Sequence, residues 1–241
     1  MRAKKILVFQ HMPSQNPGIF RGLAAKQNID FHEIDLHAGD PVPDLKDFDG
    51  LWAMGGSMNV WEEDAYPWLI EEKRVIRQAV ETLEMPFLGI CLGHQLLADA
   101  LGGSVDKSDH TEIGLFEVKP TRSGIDHPLL LNLPANMRWV NVHLSEVTRA
   151  PEQATILADS RACKNHIMQI GRYAYSCQFH PEVCSDTVDG WMTIPGIPDE
   201  LEKLIGVDGL RYFRSSVVEY MPSHNTAAAY LFDNWIKLVF H

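Results

Sequence analysis

The chain has 241 residues, 45% hydrophobic and 22% charged, the balance of an ordinary globular domain. A formal net charge of −11 disfavours non-specific nucleic-acid binding, and no apolar run is long enough to span a membrane. Four cysteines without a Cys-x-x-Cys pair suggest neither a disulfide framework nor zinc, and the eleven histidines are scattered without metal-ligand spacing.

The first residues run directly into a strand at 5–10, which is unlike a signal peptide, so a cytoplasmic protein without nucleic-acid or membrane partners is expected. A short helix at 18–27 and a strand at 31–36 follow. Residues 49–56 read as a buried strand entering a glycine turn. Residues 67–83 form an amphipathic helix, with Leu69, Ile70, Val75, Ile76, Val80 and Leu83 on one side. Residues 87–90 are a further apolar run of the kind a buried central strand needs. This alternation implies a parallel sheet covered on both faces. Beyond Gly103 the pattern becomes β, with strands expected at 114–120, 137–144, 155–159, 167–170 and 174–179, separated by Pro, Gly, Asn and Asp clusters. A loop at 195–198 leads into helices at 201–205 and 210–220. A final helix carries an apolar stripe, Ala228, Leu231, Phe232, Trp235, Ile236 and Val239, expected to pack on the chain's own core. No repeat or linker interrupts the chain, so one domain over 1–241 is expected, with a helical extension from about 195.

The stretch around Gly89-Ile-Cys-Leu-Gly-His-Gln95 organises the rest. Cys91 falls at the turn between a buried strand and a helix, with Gly89 and Gly93 making room for a strained backbone, as in the nucleophile elbow of serine hydrolases. The helix N-terminus favours thiolate over thiol, and the Leu92 amide can donate to an oxyanion forming beside that sulfur. A cysteine nucleophile needs a base and a group that orients it. Phe179-His-Pro-Glu182 offers both: His180 and Glu182 are two apart on an extended segment and start on the same side. The turn Met54-Gly-Gly-Ser-Met-Asn-Val60 also follows a buried strand, so it emerges at the same carboxyl edge of the sheet, where ligands bind.

These three stretches resemble class I, triad-type, glutamine amidotransferases, and in particular free-standing domains similar to the glutaminase domain of GMP synthase. The resemblance implies an α/β fold: a flavodoxin-like three-layer sandwich with a central, mostly parallel mixed sheet. It implies Cys91 as nucleophile, His180 as general base and acid, and Glu182 as the orienting carboxylate. It also implies an oxyanion and substrate site at Gly55, Gly56, Leu92 and Gln95. His143 matches a histidine of relatives and is a candidate for substrate binding, while Ser145 stands where an acid is common. His94 reads as a packing residue, and Cys184 as a loop thiol. The implied activity is hydrolysis of the glutamine side-chain amide without metal or organic cofactor.

No phosphate-binding loop or acceptor domain is visible in the sequence, so the ammonia is expected to go to a synthase on a separate chain. Residues 57–66 and 183–198 flank the motif edge, with Trp61, Tyr66, Trp191 and Met192 as apolar candidates for contact with it. Two other functions fit the same residues less fully: a stand-alone hydrolase of γ-glutamyl amides or peptides, and an idle regulatory module.

Overall fold

The computed structural model of the chain describes residues 2–134, 136–194 and 196–240, excepting the side chains of Ser185 and Asp186. Among the described residues the strands are β1 (Lys4–Gln10), β2 (Ile29–Asp35), β3 (Gly50–Ala53), β4 (Phe87–Ile90), β5 (Ser104–Pro120), β6 (Met137–Arg149), β7 (Ala154–Asp159), β8 (Ile167–Ile170) and β9 (Ala174–Cys177). They form one open sheet in the order β2-β1-β3-β4-β9-β8-β7-β5-β6. The ladders joining β2, β1, β3, β4 and β9 are parallel, and those from β9 through β8, β7 and β5 to β6 are antiparallel. The α-helices are α1 (Phe20–Lys26), α2 (Trp68–Arg77), α3 (Leu92–Ala100), α4 (Ser185–Trp191) and α5 (Ile197–Phe240). No helix among the described residues is long and apolar enough to cross a membrane.

The inner parallel strands β3 and β4, and β1 from Ile6 to Phe9, are apolar because both of their faces are covered. In β1, Ile6 and Val8 join Trp52, Phe20 of α1 and Phe232 and Trp235 of α5 on one face. Leu7 and Phe9 join Leu51, Phe87, Leu69 and Ile76 of α2 and Leu96 of α3 on the other. The expected stripe on the final helix lies entirely in the first of these layers. Trp235 is central there, its ring edge-on to Trp52 at 5.4 Å and its indole N–H donating to the Phe87 carbonyl at 3.3 Å.

Three elements differ from the sequence reading. The helix expected at 67–83 stops as an α-helix at Arg77 and continues as a π-helical turn, Gln78–Thr82. The strands expected at 114–120 and 137–144 are the loop-proximal halves of a longer hairpin, because polar residues extend the pairing of β5 and β6 away from the connecting loop. Its register slips between Lys107 and Glu112 and sets Glu112 opposite His143. The C-terminal helices run together as α5, bent where Gly206 leaves helical geometry at φ 74° and ψ 165°, values suited to glycine. Pro195 of the expected 195–198 loop lies outside the described residues, and the helix begins within that loop, at Ile197.

Candidate active site

Strands β1, β3, β4 and β9 deliver four turns to one edge of the sheet: His11 follows β1, Gly55–Gly56 follows β3, Cys91 follows β4 and His180 follows β9. Cys91 sits at φ 51° and ψ −103°, a backbone conformation that non-glycine residues rarely adopt and that aims the side chain out of the strand-to-helix turn. Two glycines make the elbow sterically possible. A β-carbon on Gly89 would meet the Gly93 carbonyl oxygen at 2.5 Å, and one on Gly93 would meet the Ala53 carbonyl oxygen at 2.0 Å.

Cys91 faces the imidazole of His180, whose Nδ1 lies 2.8 Å from a carboxylate oxygen of Glu182. Burial opposes protonation of His180, but the charges of Glu182 and Cys91 outweigh it and push the pKa up to about 10. Trp191 lies edge-on to the His180 ring at 5.3 Å and is itself buried. The chain holds this pair from two sides: the His180 amide donates to the Val140 carbonyl of β6 at 2.8 Å, and the Ile19 amide donates to the Glu182 carbonyl at 3.0 Å.

On the other side of Cys91, the side-chain amide of Gln178 donates to the sulfur at 3.7 Å. Gln95 in turn donates to the Gln178 oxygen at 3.2 Å and to the Ser145 carbonyl at 2.9 Å. A row of amides therefore runs from β6 to the thiol. Gln178 was not singled out from the sequence, since only its position beside Phe-His-Pro-Glu hinted at it.

The turn after β3 is built as closely. A β-carbon on Gly55 would lie 3.0 Å from a carbon of the His180 ring, and one on Gly56 would lie 2.7 Å from the Leu92 side chain. The Gly93 amide is occupied by the Met54 carbonyl at 3.1 Å. Among the described residues, the amides of Gly56 and Leu92 donate to no protein acceptor. Gly56, Asn59, Cys91, Gln95 and His143 share a cavity of about 380 Å³ whose far wall is the start of α5 at Ile197, Leu201 and Leu204. Asn59 is fixed there by the Ser145 hydroxyl, which donates to it at 2.7 Å.

His143 borders this cavity, but both ring nitrogens are engaged: Nδ1 with the Ser145 carbonyl at 3.2 Å and Nε2 with Glu112 at 3.1 Å. His166 reaches the same Glu112 oxygen at 2.9 Å, and the Ser160 hydroxyl donates to the other oxygen at 2.8 Å. The histidines are scattered in sequence, yet the β5–β6 hairpin and the entry to β8 gather His143, His166 and Glu112 with ligand atoms within 4.8 Å of one another. That donor set suits a divalent cation, and the same atoms also satisfy one another as a buried hydrogen-bond network.

His94 is fully buried, bonded to the Ser176 hydroxyl at 2.9 Å, and its pKa is lowered to about 3 by burial. Burial pushes the thiols of Cys163 and Cys177 upward, which makes them poor nucleophiles. Cys184 caps α4, bonded to Thr187. Of the apolar contact candidates, Trp191 covers His180 and Trp61 is exposed.

A family model for class-I glutamine amidotransferases matches residues 20–193. A glutamine amidotransferase-like protein of Salmonella typhimurium, YfeJ, is 33% identical over 209 residues, 85% of this chain and 84% of that protein. The glutamine-hydrolysing GMP synthase of Sulfolobus acidocaldarius has a subunit that is 35% identical over 143 residues, 59% of this chain and 71% of that one. Among solved structures, a glutamine amidotransferase of Thermotoga maritima superposes over the full length of both chains with a TM-score of 0.87 and 26% identity.

Proposed function

The chain belongs to the class-I glutamine amidotransferase family, and on that premise we propose that Cys91, His180 and Glu182 hydrolyse the side-chain amide of glutamine. The observation that carries this reading is Cys91, held at positive φ, facing a buried His180 whose far nitrogen is held by Glu182.

The Cys91 sulfur, as thiolate, attacks the side-chain amide carbon, and a C–S bond forms as the carbonyl electrons move onto oxygen. The amides of Gly56 and Leu92 receive that oxyanion. His180, as imidazolium, gives its proton to the amide nitrogen, the C–N bond breaks, and ammonia leaves a thioester behind. The neutral imidazole then takes a proton from water as the hydroxide adds to the thioester carbon. Collapse of that adduct releases glutamate and restores the thiolate–imidazolium pair. Glu182 keeps the ring oriented in both halves. Gln178 supports the sulfur while it carries charge, and Trp191 shields the imidazole from bulk water.

The similarity to one component of a GMP synthase supports a further step, in which the ammonia passes to a synthase on a separate chain. The decisive assay is release of glutamate and ammonia from glutamine by the purified protein, with Cys91→Ser as control. We expect turnover by the wild type and none by the variant. Ready turnover of a γ-glutamyl amide or peptide, with glutamine left intact, would reassign the substrate while keeping the triad.

A further inference from the structure

We infer that His11, held by Glu72, locks the Gly55–Gly56 peptide with its N–H turned toward the Cys91 cavity, making His11 a positioning residue for the oxyanion site. The inference rests on Cys91 acting as the nucleophile.

The peptide between Gly55 and Gly56 has no β-carbon on either side, so its local geometry resists rotation less than any other linkage at the site. It needs an anchor from outside, and one is present. His11 Nδ1 lies 2.9 Å from the Gly55 carbonyl oxygen, and His11 Nε2 lies 2.9 Å from a carboxylate oxygen of Glu72 on α2. Both His11 and Glu72 are fully buried. In a trans peptide the C=O and N–H point in opposite directions, and the chain has no cis bond among its described residues. Pinning the Gly55 carbonyl to His11 therefore directs the Gly56 N–H away from His11. Gly56 and Cys91 line the same cavity.

Nδ1 meets a carbonyl oxygen, which can only accept, so that nitrogen carries a proton, and the Glu72 carboxylate beside Nε2 favours a second. Burial opposes that charge, but Glu72 outweighs it and the pKa is raised. A charged donor behind the carbonyl polarises the peptide and strengthens the hydrogen bond its N–H can offer on the other side. The ring is held in plane by Trp68, stacked at 5.5 Å and 14°. The side chain that orders the glycine turn thus also enhances it as a donor, without touching substrate.

Two double variants and two chemistries test this. His11→Leu with Glu72→Met removes the anchor and both buried charges together, avoiding an unpaired carboxylate. His11→Asn with Glu72→Gln keeps a donor where Nδ1 was. Alkylation of Cys91 by iodoacetamide needs the thiolate but no oxyanion site, whereas acylation by p-nitrophenyl acetate and hydrolysis of glutamine need both. We expect the Leu/Met protein to be alkylated at the wild-type rate, yet to acylate and to turn over glutamine on the order of 10²-fold more slowly, mainly in kcat. The Asn/Gln protein should recover most of that loss. If Leu/Met does not fold by circular dichroism, His11→Gln with Glu72→Gln replaces it, since the glutamine amide reaches the Nε2 position and not the Gly55 carbonyl; the same loss is expected. Unchanged turnover, alkylation falling in step with turnover, or an Asn/Gln protein as impaired as Leu/Met overturns the inference. A wild-type protein alkylated at Cys91 but acylated by neither ester nor glutamine defeats the hydrolase reading itself, and this inference with it.

Discussion

Gly93 presses its α-carbon against Ala53 so closely that an added β-carbon would stand 2.0 Å from the Ala53 carbonyl oxygen. The Gly93 amide also bonds to the next carbonyl, that of Met54, at 3.1 Å. The first turn of α3 and the end of β3 are therefore one joint, and it sets the distance between the Cys91 elbow and the glycine turn that faces it.

Gly93→Ala should force that joint open, because the obstructing atoms are backbone and cannot swing aside. We expect a stability loss of about 1–3 kcal/mol by urea denaturation. The loss of turnover should exceed what the folded fraction accounts for, as the two halves of the site move apart. A variant with full stability and full turnover would show that the contact relaxes without cost.

The proposed triad of Cys91, His180 and Glu182 should separate by role and by pH. Below a pKa of about 10 the buried His180 holds its proton, chiefly because Glu182 and Cys91 outweigh burial. Glu182→Gln removes the larger of those supports, so the basic limb of the pH profile of kcat/KM should move to lower pH. His180→Ala should abolish that limb. The expected losses in turnover are on the order of 10⁶ for His180→Ala and 10⁴ for Glu182→Gln, since the carboxylate only orients and stabilises the ring. Equal losses in two well-folded proteins would contradict this division.

The sequence was informative wherever one local pattern served one local purpose. Residues 87–90 had to be a buried strand, Gly89 and Gly93 had to flank a strained turn, and the stripe from Ala228 to Val239 had to meet a core. Partners supplied by distant segments were not visible. Nothing near His11 in the chain points to Glu72, 61 positions away, or to the Gly55 carbonyl. The same holds for Glu112, which meets His143 only because the hairpin register slips before it. Polar strand ends were missed for a related reason: the extension of β5 and β6 past the buried stretch depends on pairing between strands, which leaves no hydrophobic period in either.

Gln178 should matter to the thiolate without being part of the proton relay. Its amide is 3.7 Å from the Cys91 sulfur and is itself held by Gln95. Gln178→Leu removes that donor and places apolar atoms beside the developing charge. The midpoint of Cys91 alkylation against pH should rise, and turnover at pH 7 should fall by about tenfold, roughly the worth of one hydrogen bond to a charged group. Gln178→Glu should raise the midpoint further, by putting a like charge next to the sulfur. An unshifted midpoint in both variants would leave Gln178 a packing residue.

His224 offers a test of how acid affects stability. It is a buried residue of α5, edge-on to Trp139 at 5.2 Å, and its ring nitrogens have no well-formed hydrogen bond. Burial lowers its pKa to about 4. An unfolded chain takes up that proton near pH 6.5, so between those values the unfolded state binds more protons and stability must fall as the solution is acidified. From pH 7 to pH 5 the cost is about 2 kcal/mol for one such histidine, and His94, lowered to about 3, adds a similar amount. His180 acts with the opposite sign, because its raised pKa gives stability that is complete below pH 6.5 and lost as the pH climbs toward 10. His224→Leu keeps an apolar side chain against Trp139 and removes the titration. The drop in unfolding free energy between pH 7 and pH 5, measured by urea denaturation, should therefore shrink by about 2 kcal/mol relative to wild type. An undiminished acid loss would mean that His224 already takes up its proton in the folded state, through a rearrangement of α5 that admits water to the ring.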